Sequence, residues 1–117
     1  MARSAPRYGL DLFTEMRMLM TVQRGAAVAA ANAGEFDAPA PYGVRDALRA
    51  ATVGGALAAG LPDGIGVLVA GAKADFAVIS LDRMRPVASH LGAVVAYASA
   101  ADVDTVVVDG VPSQVGR

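Results

Sequence analysis

The sequence predicts an α+β chain: two helices followed by a small β-rich half. Three observations predict it. Apolar residues recur at helical spacing from Asp11 to Asn32 and again from Val44 to Gly60, whereas short runs rich in valine and isoleucine follow Pro62. The resulting order is helix, loop, helix, β, β, helix or turn, β, β, which lacks the regular alternation of strand and helix in a doubly wound sheet. With 117 residues and a mass of 11.8 kDa, the chain can build one core but not a large enzyme scaffold.

Residues 1–9 read as an irregular lead-in, with Arg3 and Arg7 but no apolar secretion-signal core behind them. In the first helix, Leu12, Met16, Leu19 or Met20, and Gln23 mark one face, and Ala26, Ala27, Ala30 and Ala31 continue it with small residues. Asp11 stands where a side-chain cap accepts the first free amides, and Glu15 adds negative charge near that end. Gly25 costs about 1 kcal/mol of helix propensity relative to Ala, so the helix either breaks there or packs backbone-close. Asn32 to Gly34 offers a stop.

Residues 34–43, with two Pro and two Gly, read as a surface loop. The second helix puts Val44, Leu48, Ala51 and Gly55 on its inner side, and Gly54 and Gly55 admit close approach of another backbone. Gly60 caps it and Pro62 blocks continuation. Beyond the LPDG turn, GVLV (66–69), DFAVIS (75–80), VDTVVV (103–108) and a tail VPSQV read as β runs. Between them, Pro86 to Ser99 has Val87, Leu91, Val94, Val95 and Ala98 at helix-compatible spacing. Asp109-Gly110 is a hairpin signal if its flanks are strands, and Pro112 then requires an unpaired edge.

The composition excludes several classes of function. Alanine supplies 26 of the residues, so the 55% hydrophobic fraction overstates the area available for burial, and the chain needs a larger body to lean on. Ten basic and eleven acidic residues give a net charge of −1, which argues against electrostatic recruitment of nucleic acid or an anionic membrane. The absence of cysteine removes disulfides, zinc-thiolate sites and thiol nucleophiles. The Ala-rich run from Gly25 to Gly34 is too short to span a bilayer, and the expected location is cytoplasmic.

Candidate chemistry is sparse. His90 is the only imidazole, and a catalytic transition-metal site needs about three protein ligands with one open position. His90 therefore reads as a surface or capping residue near a helix. Ser80 and Ser89 lie in no nucleophile elbow. Asp102 and Asp104 share one side of an extended segment and read as solvated or turn-forming. Asp75, at the entrance to FAVIS, reads as an acceptor of amide hydrogen bonds from the preceding glycine-rich turn. Gly64, Gly66 and Gly71 make a weak phosphate-loop signal, because the segment leads into β structure. Met16, Met18 and Met20 read as core packing on two helix sides.

Three strings in order carry a more specific signal: LDLFTEMRMLM (10–20), ALRAATVGGALAAGLPDGIGVLVAGAKADFAVISLD (47–82) and VDTVVVDG (103–110). Together they resemble the C-terminal portion of the amidohydrolase superfamily. The resemblance points to the triazine hydrolase and aminohydrolase branch, which includes guanine deaminase, cytosine-deaminase-like enzymes and S-adenosylhomocysteine deaminase. It implies a distorted TIM barrel with metal and water at its C-terminal mouth, and a small β-sandwich built from the two chain ends. LDLFTEMR corresponds to the helix after the last barrel strand, and ATVGGALAAGL to a later helix beside the barrel. Gly66, Gly71, Lys73, Ala74 and Asp75 match the family turn G, S, L, x, x, G, K, x, A, D, with Val67 for the usual Ser and Ala72 inserted before Lys73. FAVIS and TVVVDG correspond to sandwich strands.

The family's histidine ligands, its catalytic acid and its metal-binding Asp all lie upstream of this region. Neither Asp11 nor His90 inherits those roles, and the resemblance assigns this sequence no catalytic, cofactor-binding or metal-ligating residue. The expected fold is an α+β fragment: C-terminal helices of a distorted TIM barrel (residues 1–61) plus a partial β-sandwich (residues 62–117) of a metal-dependent amidohydrolase. The expected role is a noncatalytic C-terminal part or split subunit of an enzyme that hydrolyses carbon–nitrogen bonds in a nucleobase-like or cyclic amidine substrate. Zinc or iron is then expected on a complementary barrel-containing chain, not here. The partner surface is expected at Leu12, Met16, Leu19, Met20, Leu48 and Leu57. The alternative from a different class is a fold remnant or homo-oligomeric interaction protein without activity.

Overall fold

Residues 11–84 and 89–114 are described by a computed structural model of the chain. The lead-in 1–9 and the expected helix start at Pro86 and Val87 lie outside the described residues.

Helix α1 (Leu12–Asn32) starts where Asp11 accepts hydrogen bonds from the Phe13 amide at 3.1 Å and the Thr14 hydroxyl at 2.9 Å. It runs through Gly25 without breaking, and nothing lies close enough to meet an added Cβ there, so neither expected role of that glycine is realised. At its end Gly34 takes φ +81, and the Glu35 and Gly34 amides donate to the Ala30 and Ala31 carbonyls. This paired pattern closes a helix that ends in a left-handed glycine. Gly60 repeats it, its amide bonding Leu57 and that of Leu61 bonding Ala56.

The second helical segment is continuous but changes pitch. α2 (Val44–Arg49) passes through a π turn at Ala50–Gly54 into α3 (Gly55–Ala58). Val44, Leu48 and Ala51 pack inward as expected, while Ala47 is the fully buried contact and Gly55 is exposed. α4 (His90–Tyr97) begins on Ser89, whose hydroxyl accepts from the Gly92 amide at 3.2 Å, and it lies against both α1 and α2. Met16, Met20, Ala47 and Val95 form the shared core, with Phe13 packed against it.

The β half is one antiparallel sheet in the order β1-β2-β3, made of β1 (Phe76–Ile79), β2 (Val103–Val108) and β3 (Val111–Gln114). Asp109 and Gly110 both take positive φ, 49 and 79, as a tight two-residue hairpin turn requires. Val108 and Val111 close the turn, so the alternating ladder makes Val107 and Pro112 a non-hydrogen-bonded pair. Pro112 therefore sits on the edge strand without breaking a bond.

The GVLV run is not a strand. Gly64, Gly66 and Gly71 all take positive φ, which turns the chain three times in eight residues and leaves Leu68 and Val69 exposed without a ladder partner. The expected close backbone approach does occur here, with the glycine on the loop and not in the helix. A Cβ on Gly66 would lie 2.7 Å from Val53 N and 2.8 Å from Thr52 C, so the loop rests directly on the π turn.

The molecule leaves much of its surface open. Its radius of gyration is 17.1 Å, against about 13 Å for a compact domain of this length. Its accessible surface is 9062 Å², against roughly 5,900 Å² from the same size scaling.

Candidate functional site

Three polar junctions order the chain, and the first two take up Asp75 and Asp102, which the sequence offers as chemical candidates. In the first, the Asp75 Oδ1 accepts from the Asp109 amide at 2.6 Å, while the Gly110 amide donates to the Ala74 carbonyl at 3.0 Å. Lys73 Nζ approaches Asp109 Oδ1 at 3.4 Å. Asp75 thus fastens the hairpin turn between β2 and β3. Its partner is distant in sequence, not the preceding glycine-rich turn.

The second junction centres on Asp102, which is buried and does not share an extended face with Asp104. Asp102 ends a 3-10 turn (Ala100–Asp102), whereas Asp104 is an exposed strand residue. The Arg83 Nε and Nη2 groups reach Asp102 Oδ1 at 2.7 and 2.6 Å. Oδ2 accepts from the Ser99 amide at 2.9 Å and from its hydroxyl at 3.0 Å. The Arg83 hydrogen bond, followed by the Ser99 amide, holds this carboxyl below the ordinary aspartate range despite its burial. Sequence reasoning missed this role. The Ser99-x-x-Asp102 capping-box spacing was the available signal.

In the third junction Arg17 reaches from α1 to the end of α4, donating to the Ala98 carbonyl at 2.9 Å and the Val95 carbonyl at 3.4 Å. Cationic donors suit the free carbonyls of a helix C-terminus. The groove beside it encloses about 290 Å³ and is lined by Met20, Thr21, Arg24, Val44 and Val95.

His90 is exposed in the first turn of α4. The Ser80 hydroxyl accepts from the Asp82 amide at 3.4 Å, and the Ser89 hydroxyl is the α4 cap. Among the described residues, no three His, Cys, Asp or Glu side chains converge to hold a metal ion. The described residues therefore offer no ready-made ligand set for a metal ion. No described helix is long and apolar enough to cross a membrane.

Apolar exposure is the dominant surface feature. The expected partner set divides: Met16 and Met20 are buried by α2 and α4, Leu19 and Leu48 are half-buried, and Leu12 and Leu57 are exposed at 60% and 67%. The reason is that α4 supplies cover that helix periodicity alone could not foresee. Met18 is not core either, and stands 58% exposed on the other side of α1. A second groove of about 240 Å³ runs between Leu12, Met16 and Leu19 on α1 and Ala47, Ala50 and Ala51 opposite.

Comparison with known proteins agrees with the three ordered strings. A 5-methylthioadenosine/S-adenosylhomocysteine deaminase of Acetivibrio thermocellus is 36% identical over 109 residues, covering 92% of this chain and 23% of that protein. A protein of the same description from Pelotomaculum thermopropionicum is 45% identical over 67 residues, covering 56% of this chain and 15% of its own. The chain thus spans less than a quarter of the length of these curated relatives. No solved structure matches. The amidohydrolase family profile matches residues 2–112, nearly the whole chain, and the protein belongs to that metal-dependent superfamily.

Proposed function

We propose that this chain is a noncatalytic structural portion of a metal-dependent amidohydrolase, and that the assembled enzyme hydrolyses the exocyclic carbon–nitrogen bond of an adenosine-like substrate. One observation carries the reading: a family member that covers under a quarter of its relatives also exposes large apolar side chains along both its helices and its sheet. Such surface needs a cover, and the missing part of the fold is the cover of matching origin. The substrate class rests on the two relatives, both described as deaminases of thioether adenosines. The metal and the groups that move protons are assigned to that other part, since Asp11, Asp46, Asp75, Asp102 and Asp109 are engaged in caps, turns and ion pairs and among the described residues no three candidate ligands converge. The β-sandwich and the barrel edge are likewise completed there.

The test is reconstitution. The Acetivibrio thermocellus relative with its matched segment deleted is co-expressed with this chain, and ammonia release from 5-methylthioadenosine is followed with and without chelator. Activity is expected only from the co-expressed pair, and chelation should abolish it. Activity in the deleted relative alone, or one tightly held metal per isolated chain that depends on His90, would contradict the proposal.

A further inference from the structure

An aspartate followed by glycine can attack its own backbone, because glycine has no Cβ to shield the amide nitrogen beside the carboxyl group. The chain holds two such pairs, Asp63-Gly64 and Asp109-Gly110, and the fold treats them differently. At the second pair the nitrogen is engaged. The Gly110 amide donates to the Ala74 carbonyl at 3.0 Å, the Asp109 amide donates to Asp75, and the Asp109 carboxylate faces Lys73. Cyclisation there would have to break the junction that holds the hairpin turn. The first pair lacks these restraints. Asp63 is exposed, and among the described residues nothing bonds its carboxylate or accepts from the Gly64 amide. Gly64 takes φ +88 in a turn, and no described helix or strand lies between Ala58 and Phe76.

We propose that Asp63 is a site of spontaneous isoaspartate formation, and that the modified turn loses the seat of the glycine loop on the π turn. The Gly64 nitrogen forms a bond to Asp63 Cγ. One carboxyl oxygen leaves as water, carrying the amide proton and the carboxyl proton, and a succinimide ring remains. Water then opens the ring by breaking one of its two carbon–nitrogen bonds. Breaking the bond to Cγ restores aspartate. Breaking the bond to the original peptide carbonyl carbon leaves that carbon as a free carboxylate, and the chain then runs through Cβ and Cγ. No co-reactant other than water is consumed. The product carries one extra backbone carbon three residues before Gly66, whose Cβ position lies 2.7 Å from Val53 N. A seat that close does not tolerate the longer turn.

The experiment holds the full chain for weeks at neutral pH and body temperature. Isoaspartate is counted by methyl transfer from labelled S-adenosylmethionine with a protein isoaspartyl methyltransferase. A protease that cuts before aspartate but not before isoaspartate, followed by mass spectrometry, locates the site. Isoaspartate should accumulate at Asp63 at least tenfold faster than at Asp109 in the folded chain, and at similar rates at both in guanidinium chloride. Asp63→Glu, at an exposed position without a described partner, would have to close a larger ring. It should remove most of the methyl acceptance while leaving helix content by circular dichroism unchanged. Amide hydrogen exchange at Val53 should be faster in the modified chain.

Equal rates at the two pairs in the folded chain, or methyl acceptance that survives Asp63→Glu at full strength, overturns the site. A difference that persists in guanidinium chloride overturns the fold as its cause. Modification at Asp63 with unchanged exchange at Val53 overturns the loss of the seat.

Discussion

Replacing Gly66 by alanine tests whether the loop truly rests on the π turn. The φ of +81 costs an alanine about 1–2 kcal/mol. Loss of glycine's freedom in the unfolded chain returns roughly 0.4–1 kcal/mol. The new methyl would also sit 2.7 Å from Val53 N and 2.8 Å from Thr52 C and Val53 Cα. These are backbone atoms of a helix and cannot rotate aside, so overpacking adds about 1–3 kcal/mol. Gly66→Ala should therefore destabilise by about 1–5 kcal/mol, centred on about 3 kcal/mol. Gly71 supplies the control, because it has φ +87 and nothing near its Cβ position. Gly71→Ala should lose only about 1 kcal/mol. Urea unfolding at constant m value measures both. Equal losses at the two positions would show that strain alone accounts for Gly66 and that the packed contact does not constrain the loop.

Two further substitutions probe the polar junctions. Asp75→Asn keeps an oxygen facing the Asp109 amide, and because Asp75 is only half-buried the loss should stay below about 1 kcal/mol, against about 1–2 kcal/mol for Asp75→Ala. Amide chemical shifts at Asp109 and Gly110 should move in both variants, and an unshifted hairpin turn would remove Asp75 from its fastening role. For Asp102, the depressed pKa means that its stabilisation is complete above the ordinary aspartate range and is lost as pH falls through the lower folded value. The stability gap between the native chain and Arg83→Met should thus be widest near neutrality and shrink below about pH 4. A gap independent of pH between 7 and 3 would separate Arg83 from the Asp102 charge.

Features set by local stereochemistry were legible in the sequence. Asp11 caps α1, Gly34 and Gly60 end helices in left-handed turns, Asp109-Gly110 makes the hairpin, and Pro112 lies on an edge strand. Each depends on a few neighbouring residues. Most of the misreadings involve partners distant in sequence. GVLV has strand composition but no ladder to join, and periodicity could not reveal that α4 would cover Met16 and Met20. Asp102 looked like an ordinary solvated acid because Arg83 is brought to it by the turn between β1 and α4. The family was legible through the three ordered strings and not through chemistry, since among the described residues no three candidate ligands converge.

The placement of charge ties five of the eleven carboxylates to joints of the fold. Asp11 and Asp46 bond free amides at helix starts, Asp75 holds the hairpin turn, Asp109 meets Lys73, and Asp102 is shared between Arg83 and Ser99. Each of these carboxylates would have to release a structural partner to bind a metal, and their partners lie at different joints of the fold. Polar groups thus fix the internal joints while Leu12, Met18, Val22 and Val28 of α1 stand exposed. That division accords with the proposed function: α1 is held from one side by Arg17 and the methionine core, and its exposed apolar side chains add to the surface that the rest of the fold would cover.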